Sequence, residues 1–292
     1  MQVKAHLEAV AIPVGALLVS LLLFGVFIAI GGVNPLDVFA SIYRGAFGSW
    51  FAWQDTLVRA APLMLTALCI ALPARAGLIV IGGEGAVVAG GFCAALTGIA
   101  LNGIFPPFVV MTSMLLAGAL AGSVWIGAVG ALRHYRGVNE TISSLLLNYI
   151  AIALLNFFVV GMLKDPETLN KPSTYPIGDS NMLGAMGDSS IHWGLGIGII
   201  ICSVLWFLMR RTTFGFAVDV VGGNVRAAQL TGLPVGRLIV MACALGGAAA
   251  GIAGMIEVAA VHGRANTSLN AGYGYAGILV AFLARHNPLA II

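Results

Sequence analysis

From Gly85 to Leu132 the chain carries no charged side chain, and none lies between Glu8 and Asp37. Stretches of that length reach the roughly 20 apolar residues needed to cross a bilayer core of about 30 Å. Only 9% of the 292 residues are charged, against about 25% in soluble domains. Hydrophobic residues make up 60% and are accompanied by 39 glycines, the mixture that lets membrane helices pack closely. A soluble fold is excluded. The net charge of +3 is too small and too dispersed to offer nucleic acid a basic surface.

The expected fold is all-α, a polytopic transmembrane helical bundle with broken or re-entrant helices, forming a single transmembrane domain over residues 1–292. The first span lies between Glu8 and Asp37, which is too long for the apolar core of a signal peptide. Further spans are expected at Thr56–Pro73, Gly77–Leu101, Phe108–Leu132, Thr141–Leu163, His192–Met209 and Leu238–Ala260. Asn102-Gly103 and Pro106-Pro107 divide the uncharged run after Gly85 into two helices. The segment from Pro35 to Asp55, with Trp50 and Trp53, reads as an interfacial anchor. From Tyr275 to Ala284 there are too few apolar residues to cross, so a broken or re-entrant helix is expected there, with a chain truncated after Ile292.

A cytoplasmic N-terminus puts nine basic residues inside: Lys4, Arg75, Arg133, Arg136, Arg210, Arg211, Arg226, Arg237 and Arg285. Five lie outside, Arg44, Arg59, Lys164, Lys171 and Arg264, a bias that follows the positive-inside rule. The external loop Lys164–Ile191, with Asp165, Glu167, Asp179 and Asp188, reads as an ordered or semi-ordered cap.

Cys69, Cys93, Cys202 and Cys243 lie apart within spans and read as packing residues. The five histidines form no metal-binding pattern, so neither a metal nor another cofactor is expected. The lysines, Lys4, Lys164 and Lys171, belong to no P-loop, so the chain is not expected to be an enzyme and any ATP hydrolysis falls to a partner.

Three segments carry chemistry. Gly77 to Ala86 combines clustered glycines with Glu84 inside an apolar run. Broken backbone at membrane depth survives only when buried in protein or lining an aqueous cavity. A carboxylate there marks a pathway or a pair, or caps the following helix near its surface. Gly137 to Ile150 enters a helix on which Thr141, Ser144, Asn148 and Asn156 fall within about 120° at 100° per residue. That stripe serves either interhelical hydrogen bonds or the wall of a solute conduit. In the loop 210–237, Asn224 is an N-cap, Gly232 a stop and Pro234 a breaker, which predicts a short helix over Asn224–Thr231. Two turns are unstable alone in water, so this helix must dock, either on its own bundle or on a partner. The pairs Gly118/Gly122, Gly194/Gly198 and Gly247/Gly251 predict close helix crossings, and Glu257 is a weaker pathway candidate.

In order along the chain, these segments resemble the permease subunits of bacterial ABC importers for branched-chain amino acids and simple sugars, most of all their nucleoside branch. Gly77–Ala86 resembles that branch's G-x-x-N-I-G-x-E-G-Q motif, and Gly137–Ala151 its G-V-N-E-x-I-x-x-L-x-L-N-Y-I-A. Thr213–Arg237 resembles the cytoplasmic T-x-x-G and G-x-N-x-x-A-A-x-x-x-G elements, and Gly272–Pro288 the late G-x-G-x-x-G-I element. Departures are Val80 for Asn, Ala86 for Gln, and Asp219-Val220 for Arg-Ala.

The resemblance implies a multi-pass permease of the bacterial inner membrane, surrounded by membrane lipid. Its implied partners are a cytoplasmic ABC ATPase, a second related permease and an extracytoplasmic solute-binding protein. A nucleoside is the implied solute, with a ribose-like simple sugar as the alternative. An ion-coupled secondary transporter using Glu84 and Glu257 and a membrane-embedded enzyme are the competing classes. Glu84, Asn139, Asn148 and Tyr149 are the expected pathway residues. Gly215, Gly222, Asn224, Arg226, Ala227, Ala228 and Gly232 are expected to shape a coupling element within the loop 210–237.

Overall fold

A computed structural model describes the backbone of residues 2–168, 171–187 and 189–292, and side chains from residue 14 onward. The side chains of Lys4, His6 and Glu8, and Asp188 as a whole, lie outside the described residues. Eleven α-helices are described: α1 (Gln2–Ile30), α2 (Pro35–Phe47), α3 (Trp50–Arg75), α4 (Gly83–Leu101), α5 (Pro107–Arg136), α6 (Glu140–Val160), α7 (Gly194–Arg211), α8 (Thr213–Gly223), α9 (Val225–Leu230), α10 (Val235–Ile256) and α11 (Tyr273–Leu283). Among the described residues no strand forms, only the isolated bridges Ser173 to Asn266 and Ala185 to His192. The all-α bundle is the observed fold class.

Six helices, α3 to α7 and α10 with its π-helical extension to His262, are long and apolar enough to cross a membrane. They correspond to the six spans expected after the first. In place of the first, Val14–Ile30 and Pro35–Phe47 form a pair bent by 118°, which would bring the number of spans to seven if counted as one.

The chain divides into two compact units, residues 1–56 and 57–292. In the first, Asn34 caps α2 by accepting from Leu36 N at 3.1 Å, and Phe24 and Phe39 meet across the bend. Helix α2 buries none of its residues within this chain, while Phe47 and Trp53 pack with centroids 4.8 Å apart.

In the second unit, α4, α5 and α10 cross where their glycines coincide. A methyl group on Gly122 would stand 2.2 Å from the Gly247 carbonyl oxygen, and one on Gly251 2.0 Å from that of Gly118. Two of the predicted small-residue pairs therefore face one another, and only hydrogen at these positions lets the backbones approach so closely. Gly90 of α4 meets Gly251 in the same way, and Gly254 meets the Val87 carbonyl.

The described parts of the 164–191 loop pair by backbone with the segment after α10. Thr174 N donates to Ala265 O at 2.9 Å, Ile177 N to Gly263 O at 3.0 Å and Leu183 N to Ala259 O at 2.8 Å. Asp165 pairs with Arg264 at 3.3 Å, and Asn181 Nδ2 donates to Asn102 Oδ1 at 2.9 Å.

Overpacking a close-packed site costs about 1–3 kcal/mol or more. Gly251→Ala is therefore expected to lower the melting temperature of the purified protein clearly. Gly223→Ala, where a methyl meets nothing within 4 Å, should leave it unchanged; equal melting of the two variants would contradict the crossing.

Candidate functional site: a broken-helix junction and an adjoining loop helix

Helix α3 ends in a Schellman turn. Leu78 N donates to Pro73 O and Gly77 N to Ala74 O, both at 3.0 Å, and Gly77 holds the left-handed φ of +81° that such an end requires. The chain then runs extended from Leu78 to Ile81 before α4 starts at Gly83. An extended segment has no helical bonds of its own, so its amides and carbonyls need other partners.

Helix α6 supplies them from its polar stripe. Thr141 Oγ1 donates to Ile79 O at 2.8 Å, and Glu140 Oε1 accepts from Ile79 N at 3.4 Å. Ser144 Oγ accepts from Ile81 N at 3.1 Å, and Asn148 Nδ2 donates to Ile81 O at 3.3 Å. Asn148 Oδ1 also accepts from Gly85 N at 2.6 Å, a free amide in the first turn of α4. Because Glu140/Thr141, Ser144 and Asn148 are spaced three and four residues apart, they rise along one helix face in step with the extended segment.

A second break meets the first. After the π-helical turn Glu257–His262 the chain passes back along α4, with Leu269 beside Gly91, until Gly272 and Gly274 reach Glu84 two turns away. There the fully buried Glu84 carboxylate accepts from Gly272 N at 2.7 Å and Gly274 N at 2.6 Å, satisfying the start of α11. A carboxylate at a helix N-terminus also meets the positive end of the helix dipole. Tyr273 hydrogen-bonds Glu257, itself buried, while Thr66 Oγ1 of α3 donates to Tyr273 O at 3.0 Å. Tyr275 Oη lies 3.3 Å from Asn148 Nδ2, closing the junction across α6, α4 and α11. Trp125 Nε1, buried beside Gly85, reaches no protein acceptor.

The loop between α7 and α10 is attached directly to this junction. A methyl on Gly222 of α8 would stand 2.0 Å from the Arg75 carbonyl oxygen, and Gly77 lies against Gly222. Arg75 Nε donates to Asp219 Oδ1 at 2.8 Å, and its Nη2 pairs with the other carboxylate oxygen. Asn224 caps α9 by accepting from Ala227 N at 3.0 Å, and a Schellman turn at Gly232 (φ +78°) closes it. Ala228 is buried, whereas Val225, Arg226, Ala227 and Leu230 are exposed, Leu230 at 85%.

Residues 53–292 match the family of branched-chain amino acid transport system permease components. The chain belongs to that family. It is 32% identical to a glucose ABC transporter permease protein of Haloferax volcanii, over 96% of this chain and 76% of that protein. It is 27% identical to a guanosine ABC transporter permease protein of Bacillus subtilis, over 98% and 83%. It is 26% identical to a nucleoside ABC transporter permease protein of Lactococcus lactis, over 97% and 80%. No solved structure matches significantly.

In this permease the expected pathway residues divide. Glu84 and Asn148 converge on the broken-helix junction. Asn139 sits at the end of α6 as its N-cap, accepting from Ile142 N at 3.1 Å, and Tyr149 points away, 61% exposed. Asn156, on the same predicted stripe, is exposed beyond the broken segment. Of the loop residues, Gly215 lies against the Met209 carbonyl at the turn from α7 into α8, Gly222 abuts Arg75, and Asn224 and Gly232 bound α9. The expected helix Asn224–Thr231 is thus the observed α9 with its two caps. Sequence reasoning missed Tyr275 and Trp125 as members of the junction; no spacing rule ties an isolated aromatic to a particular residue of another helix.

Removing a partner from a buried polar group costs about 1–3 kcal/mol for each group left unpaired. Asn148→Leu is therefore expected to destabilise strongly. Glu84→Gln, which keeps one acceptor oxygen, should instead speed hydrogen exchange at Gly272–Gly274 while leaving α6 protected. Unchanged exchange at those amides would show that the carboxylate does not hold α11.

Proposed function

We propose that this permease is the membrane subunit of an ABC importer that moves a small polar solute, a nucleoside before a simple sugar. Its proposed setting is the bacterial inner membrane, with the N-terminus cytoplasmic. The observation that carries the transport reading is the family match across residues 53–292. Nucleoside transport is favoured by the guanosine and nucleoside permeases that align with 97–98% of the chain. Glucose keeps its place as the second reading because of the Haloferax relative at 32% identity.

The proposed conduit runs beside the broken-helix junction. Glu84 and the fully buried Asn148 act there by holding backbone, so the groups left to meet a neutral solute are the Tyr275 ring and hydroxyl and the Trp125 N–H. The exposed Tyr275 ring and hydroxyl, with the unpartnered Trp125 N–H behind them, suit a purine nucleoside, whose base stacks and whose ribose carries hydroxyls. Asn139 and Tyr149 belong to the edge of this proposed route. Ion-coupled transport is not what the relatives suggest, and both carboxylates it would use are engaged at the start of α11.

ATP hydrolysis is assigned to a cytoplasmic ATPase subunit, delivery to an extracytoplasmic solute-binding protein, and the other half of the channel to a second, related permease. The ATPase is proposed to grip α9. Its exposed Leu230, Val225 and Arg226 form the apolar and cationic contact, while Ala228 and Gly215 hold the element to the bundle. Displacement of α9 is transmitted through α8 to Arg75 and the extended segment, because Gly222 and the Arg75–Asp219 pair leave no slack between them.

Two measurements test this. Reconstituted with its partners, the importer should take up radiolabelled guanosine in an ATP-dependent way, and excess glucose should not compete. Glucose uptake without guanosine uptake would transfer the assignment to sugar. Leu230→Glu with Arg226→Glu should release the ATPase on co-purification while the permease still inserts and melts normally; retained ATPase would remove α9 from the coupling role.

A further inference from the structure

At the end of the bundle that carries α8, a cavity of about 410 Å³ is lined by Arg75, Trp206, Arg210, Arg285, His286 and Asn287. Three arginines line one space, yet only Arg75 has a carboxylate, Asp219, to pair with. Arg210 and Arg285 form no ion pair among the described residues. Basic residues near helix C-termini are ordinary, since they meet the negative end of the dipole. That accounts for the type of residue and not for the backbone that presents Arg285.

Helix α11 closes in a Schellman turn, with His286 N donating to Ala281 O at 2.9 Å and Arg285 N to Phe282 O at 3.0 Å. The residue after the cap in such a turn is left-handed and is glycine by preference. The ends of α3, α5 and α9 obey that preference with Gly77, Gly137 and Gly232. Here the position is Arg285, at φ 50°, followed by His286 at φ 56°, the only non-glycine residues with positive φ among those described. Strained backbone of this kind gathers at functional sites. His286 Nδ1, moreover, is buried without a partner. The chain keeps a disfavoured conformation at the place where Arg285 and His286 line a cavity short of anions.

We propose that this cavity binds the phosphate of an anionic phospholipid headgroup, with Arg210, Arg285 and His286 as its ligands and Arg75 fixed behind them by Asp219. A lipid is favoured over a soluble phosphate by what adjoins the cavity. Trp206 is an aromatic side chain near the end of a spanning helix, the place where such rings meet headgroups. A second cavity of about 440 Å³ shares Arg285 and Asn287 with the first and is otherwise lined by apolar residues, among them Val280, Leu283 and Ile291. Leu279 and Leu283 of α11 are 74% and 83% exposed beside it. A charged cavity opening beside an apolar one fits a molecule with a phosphate head and an acyl tail.

The test uses the full-length permease, stripped with detergent, and native mass spectrometry to follow retention of phosphatidylglycerol and phosphatidylcholine. Wild type should retain phosphatidylglycerol preferentially, and millimolar inorganic phosphate should not displace it. Arg285→Gly removes the charge while supplying the residue the turn prefers. It should melt no lower than wild type yet retain phosphatidylglycerol about tenfold less. Arg210→Gln should weaken retention similarly, and Arg237→Gln, outside both cavities, should not. Equal retention by Arg285→Gly and wild type, or equal retention of the two lipids by wild type, would overturn the proposal. Displacement of the lipid by inorganic phosphate would overturn the lipid assignment in favour of a soluble phosphate compound.

Discussion

The structure depends on one obligation: in an apolar surrounding, every backbone amide and carbonyl must find a partner. Helices meet it internally, and this chain breaks two of them. The stretch from Leu78 to Ile81 gives up its own helical bonds, and α6 restores them from the side through Glu140, Thr141, Ser144 and Asn148. The start of α11 is restored by Glu84. Polar residues that look costly in a hydrophobic sequence are there because broken backbone would cost more.

The glycines make that arrangement possible. Where α4, α5 and α10 cross at Gly90, Gly118, Gly122, Gly247 and Gly251, main chain touches main chain. This brings the first turn of α4 within reach of both Asn148 on α6 and the start of α11. Gly274, whose added methyl would stand 2.0 Å from Glu84 N, belongs to the same requirement. A larger residue at any of these positions would separate the carboxylate from the amides it holds, so packing and polar pairing fail together.

Much of this was legible in the sequence. Charge-free runs gave the spans, turn formers divided α4 from α5, and Asn224 with Gly232 bounded α9, because each signal is local. The polar stripe was legible as a stripe but not as a set of bonds. Whether Asn148 faces a solute, another helix or a broken segment depends on what lies opposite, and Val80 and Ala86, buried and apolar, gave no hint that Ile79, Ile81 and Gly85 lend their backbone there. Asn139 and Tyr149 share the family-like motif with Asn148, yet in the structure one is a cap and the other points outward. The exchange of an expected Arg for Asp219 became meaningful only with Arg75 in view, since the carboxylate now neutralises the end of α3.

These contacts also decide where force can travel. Residues 75–85 touch α8 through Gly222 and Asp219, α6 through the polar ladder and α11 through Glu84. The ladder fastens the extended segment to α6 by side chains alone, and such bonds tolerate rotation of the helices that follow. The contact at Gly222 is backbone against backbone and tolerates none. Under the proposed coupling, a push arriving along α8 would meet the turn at Gly77 directly and pass to the segment that leads into the first turn of α4. Because Glu84 stands in that turn, α11 has to follow. If the proposed solute route borders both breaks, that shared movement is what would alter its width.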